Sequence, residues 1–233
     1  MPKQSLSKPD FTLDRPATTL RDQVATKLRQ AIITGYFKPG SRLVERQMCE
    51  LFAVSRTLIR EALRQLEAEG WVRVLAYRGP VVATMTTTDV REFYEVRGAL
   101  EGLAAELCAE RASPAQLAAM AKAVKALVTA QKRGDLDGQL EQAVIFYDLL
   151  REAAGNALLR AQLSAHSSRL SWLRSMSLSR PERASVSAKE EELLMAALLA
   201  RDGKRARQLC ENHIRVAAEG LVEIFSGPAI RRL

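Results

Sequence analysis

The stretch VSRTLIREALRQLEAEGWV, residues 54–72, places Val54, Leu58, Ala62, Leu63 and Leu66 at the spacing of one buried helical stripe. Ser55 is suited to capping the N-terminus of that helix and Gly70 to ending it. Arg56, Arg60 and Arg64 fall at i, i+4 and i+8 on a different face, turned away from the core. A solvated face, with Glu61 and Glu67 nearby, is one reading of that pattern. The neighbouring segments favour another.

Upstream, Leu20, Val24, Leu28, Ala31 and Ile32 recur at helical spacing until Gly35, Pro39 and Gly40 break the run. A short helix is expected over residues 44–52, with Met48, Leu51 and Phe52 inward. Downstream, WVRVL and PVVAT are short β-prone runs joined through AYRG, where Gly79 and Pro80 favour a tight reversal. Three helices followed by a basic hairpin make a winged helix-turn-helix over residues 19–85, in which the third helix enters the major groove and the wing meets the backbone or the minor groove. There the short side chains of Ser55 and Thr57, with free backbone N–H groups, can hold phosphate while Arg56 and Arg60 reach base edges. A guanidinium can donate two hydrogen bonds to one guanine.

Charge agrees with this placement. Residues 1–86 carry 14 basic and 8 acidic side chains, against 21 and 19 in residues 87–233, so the N-terminal third is where a polyanion would bind. With 233 residues, 47% of them apolar, the chain is long enough for two modest cores. Nothing approaches a membrane-spanning run, and MPKQSLSKPDFTLDRPATT has no apolar signal core, so a cytoplasmic protein is expected. Cys49, Cys108 and Cys210 are far apart and suggest buried thiols rather than a disulfide framework or a zinc knuckle. Residues 1–18 are polar, hold three prolines and read as a flexible arm.

Beyond Thr86 the pattern is almost wholly helical, with breaks near Ser113-Pro114, Gly134-Asp135, Gly155-Asn156, Pro181 and Asp202-Gly203. Six or seven helices are expected over residues 86–228, each with a stripe such as Phe93, Val96, Leu100, Leu103 and Leu107. The fold class is therefore mainly α: a winged helix-turn-helix followed by an antiparallel helical bundle.

Residues 20–84 resemble the DNA-binding domain of the GntR superfamily, on the strength of LRDQVATKLRQAIITGYFKPGSRLVERQMCE leading into VSRTLIREALRQLEAEGWV. The resemblance implies that Arg46, Arg56 and Arg60 contact operator bases and that Thr57 and the wing glycine Gly79 approach the DNA backbone or minor groove; Arg78, beside it on the basic wing, is a further DNA-binding candidate. The rest of the chain is similar to the FadR-type effector domain called FCD: DVREFYEVRGALEGLAAELCAER resembles its first helix, and FYDLLREAAGN and ELLMAALLARDGKRARQLCENH resemble later ones. Many such domains hold a divalent metal through one Asp and three His, with an organic acid completing the site. At the matching positions this chain has Ala143, Tyr147, Glu192 and His213, so the standard metal site is expected to be lost and no cofactor is expected.

The residues themselves still point to a pocket, because Tyr147, Glu192 and His213 interrupt apolar stripes and must meet one another or a ligand. A structural Glu192–His213 pair capped by Tyr147 is the plainer alternative. His166, in the stripe Leu159, Leu163, Leu170 and Leu173, is a further candidate; its convergence with Glu192 and His213 would create a rearranged metal site. Arg97 suits a carboxylate effector, against an intrahelical pair with Glu101.

The expected function is a ligand-responsive transcriptional regulator, a repressor of a catabolic or transport operon that binds a pseudo-palindromic operator as a homodimer. It would respond to a small organic acid, or alternatively to a non-acid effector. An enzyme using Glu192 and His213 as acid and base is a remote rival, since no nucleophile motif or phosphate-binding glycine loop is found. A nonspecific architectural DNA binder is another.

Overall fold

The structure, a computed structural model, describes residues 19–226. The arm expected over residues 1–18 and the end of the chain from residue 227 lie outside the described residues.

Helix α1 (Leu20–Ile33) starts at a reciprocal cap in which Thr19 and Asp22 each bond the other's backbone N–H. Helix α2 (Glu45–Phe52) ends at Ala53 in the left-handed region, and α3 (Arg56–Ala68) begins three residues later with the Ser55 hydroxyl accepting the Leu58 N–H. This tight reversal sets α3 across α2. Strands β1 (Val72–Leu75) and β2 (Gly79–Val82) pair antiparallel in the register Val72↔Val82, and Gly79 takes the positive φ that the turn requires. The core of this head gathers Leu28, Leu43, Ile59, Leu66 and Trp71. Ile59 joins Ala62 and Leu66 as the fully buried residues of α3, whereas Val54 and Leu58 are half-buried and Leu51 of α2 faces solvent. Arg29 and Glu69 clamp α1 to the C-terminal cap of α3 through two hydrogen bonds of 2.9 and 3.0 Å.

The bundle comprises seven helices among the described residues: α4 (Thr87–Arg111), α5 (Pro114–Lys132), α6 (Leu136–Ala153), α7 (Ala157–Ser164), α8 (Ser167–Leu178), α9 (Pro181–Leu199) and α10 (Gly203–Ser226). Ser113, Asp135 and Asn156 cap α5, α6 and α7 through their side chains, and Pro181 opens α9 at the first-turn position where its missing N–H costs nothing. The break between α7 and α8, at Ala165 and His166, carries neither Gly nor Pro. Among the described residues no helix is long and apolar enough to cross a membrane.

Head and bundle touch through α8. The Trp71 indole N–H donates to the Ser168 hydroxyl at 3.0 Å, and the rings of Trp71 and Trp172 lie 5.6 Å apart. Arg73 of β1 reaches Asp89 of α4 at 3.1 Å, so the wing strand and the first bundle helix are also pinned together.

Candidate nucleic-acid interface and sensor cavity

The N-terminal half of α3 presents Arg56, Thr57 and Arg60 to solvent, because Ile59, Ala62, Leu63 and Leu66 take the inward positions. Glu45, at the first turn of α2, bonds Arg60 Nε at 2.8 Å and lies 3.7 Å from Arg56 Nε. This carboxylate, unremarked in the sequence, holds both guanidinium groups beside the N-terminus of α3, and it raises the pKa of Arg60 by accepting that hydrogen bond. Such exposed pairs are weak and easily exchanged for DNA. Arg46 is similarly exposed and pairs with Glu50. On the wing, Arg78 is exposed beside Gly79, and Tyr77 at the turn stands fully in solvent with a positive φ of 64°. Tyr77, with exposed Val74 and Leu75, gives the wing an apolar tip that its basic residues had obscured.

The second site lies inside the bundle. Tyr94, Arg97 and Glu101 enter it from α4, Tyr147 from α6, Arg174 and Ser177 from α8, Arg183, Ser187, Glu190 and Glu191 from α9, and Cys210 and His213 from α10. Arg97 donates to Glu101 at 3.2 Å; both are buried. Burial, the largest single influence, would lower the Arg97 pKa, but Glu101 together with Tyr94 and Tyr147 outweighs it and raises the value. Glu101 is held below its ordinary range because Arg97, Arg151 and Arg174 together overcome its burial. The Arg174 guanidinium sits 4.7 Å over the Tyr147 ring, and its pKa is lowered by burial and by Arg97. It remains a cation all the same, because a guanidinium keeps its proton in proteins.

His213 lies 2.7 Å from Glu190, which also accepts from Arg183 at 2.7 Å. A carboxylate can only accept, so Nδ1 of His213 carries the proton. Burial holds the His213 pKa below its ordinary value, opposed by the bond to Glu190. Glu191 is 2% exposed, and burial drives its pKa up to about 7 despite Arg174 and Arg183.

Three expectations need correction. Glu192 is exposed; the interior carboxylate is Glu191, one residue earlier and thus about 100° around the helix. The expected Glu192–His213 pair is therefore a Glu190–His213 pair, flanked by Tyr147, whose ring stacks on His213 at 6.1 Å. His166 is exposed at the start of α8, edge-on to Phe93, because the break after α7 takes it out of the helical phase of Leu159 and Leu163. It does not converge with His213. Arg97, Tyr147 and His213 do come together, and Arg174 and Arg183 join them, although neither had been singled out.

The residues do not fit a divalent metal. Ala143 offers a methyl group where a carboxylate is needed, the Tyr147 phenol is pushed well above its ordinary pKa by burial, and His213 already serves Glu190. Three guanidinium groups share the space, and among the described residues no group of three His, Cys, Asp or Glu side chains is arranged to hold a metal.

The arrangement instead suits an anion. Arg97, Arg174 and Arg183 face Glu101 and Glu190, three positive charges against two negative, with Glu191 largely protonated below pH 7. Arg97 Nε, Arg174 Nη2, Arg183 Nε and the Tyr147 hydroxyl are buried without hydrogen-bond partners, as are the acceptors Glu101 Oε1 and Glu191 Oε2, so the unused donors outnumber the unused carboxylate oxygens. The remaining cavity measures about 10 Å³, room for about one water.

A winged helix with an arginine-bearing third helix, mounted on a seven-helix bundle, defines a DNA-binding regulator. Residues 20–82 match the bacterial regulatory proteins of the gntR family, and residues 92–216 match the FCD domain. The chain belongs to the GntR family of transcriptional regulators, in its FCD-bearing, FadR-like branch. The family's members are regulators rather than enzymes. YdhC of Bacillus subtilis, an uncharacterized HTH-type transcriptional regulator, is 29% identical over 217 residues, 93% of this chain and 96% of its own. The gluconate operon transcriptional repressor of Bacillus licheniformis is 31% identical over 147 residues, 63% of this chain and 59% of its own. The solved structure of E. coli McbR/YncC shares the fold at a TM-score of 0.67 and 23% identity, covering 90% of this chain and 98% of that one.

Proposed function

We propose that this regulator is a repressor of a catabolic or transport operon in the cytoplasm, that it binds a pseudo-palindromic operator as a homodimer, and that a small carboxylic acid in the bundle releases it. The observation that carries the effector reading is the buried arginine cluster, with one positive charge in excess while Glu191 keeps its proton and with donors left without partners. Unpartnered buried donors are costly, and a carboxylate between Arg97 and Arg174 would satisfy them. The Bacillus licheniformis relative is named for the gluconate operon, and gluconate is such an acid. Two copies are needed because one recognition helix reads too few base pairs for useful specificity.

Helix α8 links sensing to DNA. It carries Arg174 and Ser177 toward the cavity, and Ser168 and Trp172 toward the head. A cavity of about 10 Å³ cannot admit a carboxylate until its walls move, and movement of α8 displaces the surface on which Trp71 rests. The effector shifts the heads only by its difference in affinity between the two placements.

The test is a screen of sugar acids and small dicarboxylates by thermal shift and by release of operator DNA, repeated with Arg97→Ala. The expected result is that one acid stabilises the protein and releases DNA, and that the variant loses at least about tenfold in that acid's affinity while still binding DNA. Unchanged acid affinity in the variant would assign Arg97 to structure alone.

A further inference from the structure

We propose that the junction between head and bundle is a second small-molecule site, distinct from the arginine cluster, and that it takes an aromatic or alicyclic monocarboxylate. A cleft of about 290 Å³ lies there, with Trp71 on the head side, Met85 on the connection, Trp172 and Met176 on α8 and Phe225 on α10. A cavity of about 150 Å³ accepts benzene, so this one has room for a ring bearing a short acid chain.

Its polar group is Arg169. The guanidinium packs against Gly70, where a Cβ would come within 2.5 Å of Nη1, and lies 5.5 Å from the Phe93 ring. Among the described residues it makes no hydrogen bond. Asp89, the carboxylate acting on it, is taken up by Arg73 at 3.1 Å and by the Thr86 cap at 2.6 and 2.7 Å. A half-buried cation with unused donors at the edge of an aromatic cleft matches an acid whose body is apolar: the guanidinium fixes the carboxylate, and the indole and thioether walls cover the ring.

The site is made by two bodies. Trp71 belongs to the head and Trp172 to the bundle, and their rings touch at a centroid distance of 5.6 Å, so a molecule lying against both binds best in the placement that keeps the two rings together, and it stabilises that placement over others. The cleft thus acts on the heads directly, without passing through the buried cluster.

Trp71 and Trp172 are the only two tryptophans in the chain and both line the cleft, so intrinsic fluorescence excited at their red edge reports on it, and the arginine-cluster variant separates this signal from movement of α8. The full-length protein is titrated with 3-phenylpropionate and cyclohexanecarboxylate, and with 3-phenylpropan-1-ol as the uncharged counterpart. The expected result is a saturable response to the acids, with the alcohol weaker by about tenfold or more. Arg169→Gln should remove that preference, Arg169→Lys should retain part of it, and Arg97→Ala should leave it intact. Equal responses to acid and alcohol, no saturable response to either acid, or a response abolished by Arg97→Ala but kept in Arg169→Gln, would each overturn the proposal.

Discussion

Replacing Glu191 by glutamine removes a titration that the fold makes unfavourable. In the unfolded chain this carboxyl ionises near its ordinary 4.5, whereas burial in the bundle lifts it to about 7. Between those values the folded chain keeps a proton that the unfolded chain has released. The folded state therefore loses stability as pH rises through this window, at up to about 1.4 kcal/mol per pH unit, and the full loss above pH 7 is about 3 kcal/mol. His213 acts in the opposite sense, since its pKa is lowered by burial and its stabilising contribution is lost as pH falls below the ordinary histidine range. Comparing wild type with Glu191→Gln at each pH leaves the histidine in place on both sides and isolates the glutamate. Glutamine fills nearly the same volume without a charge. The variant should match wild type near pH 4.5 and exceed it by about 3 kcal/mol at pH 8, or roughly 6–12 °C in Tm for a protein of this size. Urea melts followed by circular dichroism at 222 nm from pH 4.5 to 8.5 measure this difference. Parallel pH profiles for the two proteins would refute the reasoning, because they would mean that Arg174 and Arg183 keep Glu191 ionised at neutral pH.

On the DNA side, Arg56→Ala should lower affinity for the operator by about 1–3 kcal/mol at the contacted base pair and leave helical content unchanged; gel shifts against operator and unrelated duplex separate selection from general affinity. Glu45→Gln releases the guanidinium groups of Arg56 and Arg60 and removes a negative charge from the phosphate-facing surface, so it should strengthen nonspecific binding more than operator binding at low salt. An equal gain on both duplexes would mean that Glu45 contributes charge but no orientation. Dialysed protein should contain less than one equivalent of zinc, nickel or manganese by elemental analysis, and a stoichiometric metal would show that the interior residues rearrange around it.

The parts of the fold that could be read from the sequence are those fixed by local chemistry. Ser55, Gly70 and Gly79 occupy positions where a cap or a positive φ is demanded, and the structure uses each of them in that way. Ser113-Pro114, Asp135 and Asn156 mark helix starts for the same reason. Where a helix ended without such a signal, the reading lost its phase: the junction at Ala165 and His166 has no Gly or Pro, so His166 was carried forward on the stripe of the preceding helix. Glu191 and Glu192 show the same sensitivity within one helix. In KEEELLMAALL three successive glutamates offer three phases, and periodicity alone chooses between them only if Leu194, Met195 and Leu198 are recognised as the inward set.

Arg174 and Arg183 are hard to place from the sequence for a different reason. An arginine on a helix ordinarily belongs to the solvent face, and its pattern carries no mark that says otherwise. A signal was nonetheless present: Arg174 shares a stripe with Leu170, Leu173, Ser177 and Leu178, so it stands on the buried side of α8. Its counter-charge, Glu101, lies on α4, seventy-three positions earlier in the chain. No local period can connect such residues; packing of the helices does. The contact between Trp71 and Ser168 is of the same kind, 97 positions apart. The residues that line the buried cavity, Arg174 and Ser177, and those that hold the head, Ser168 and Trp172, share a single twelve-residue helix, α8, so the packing that places one set also places the other.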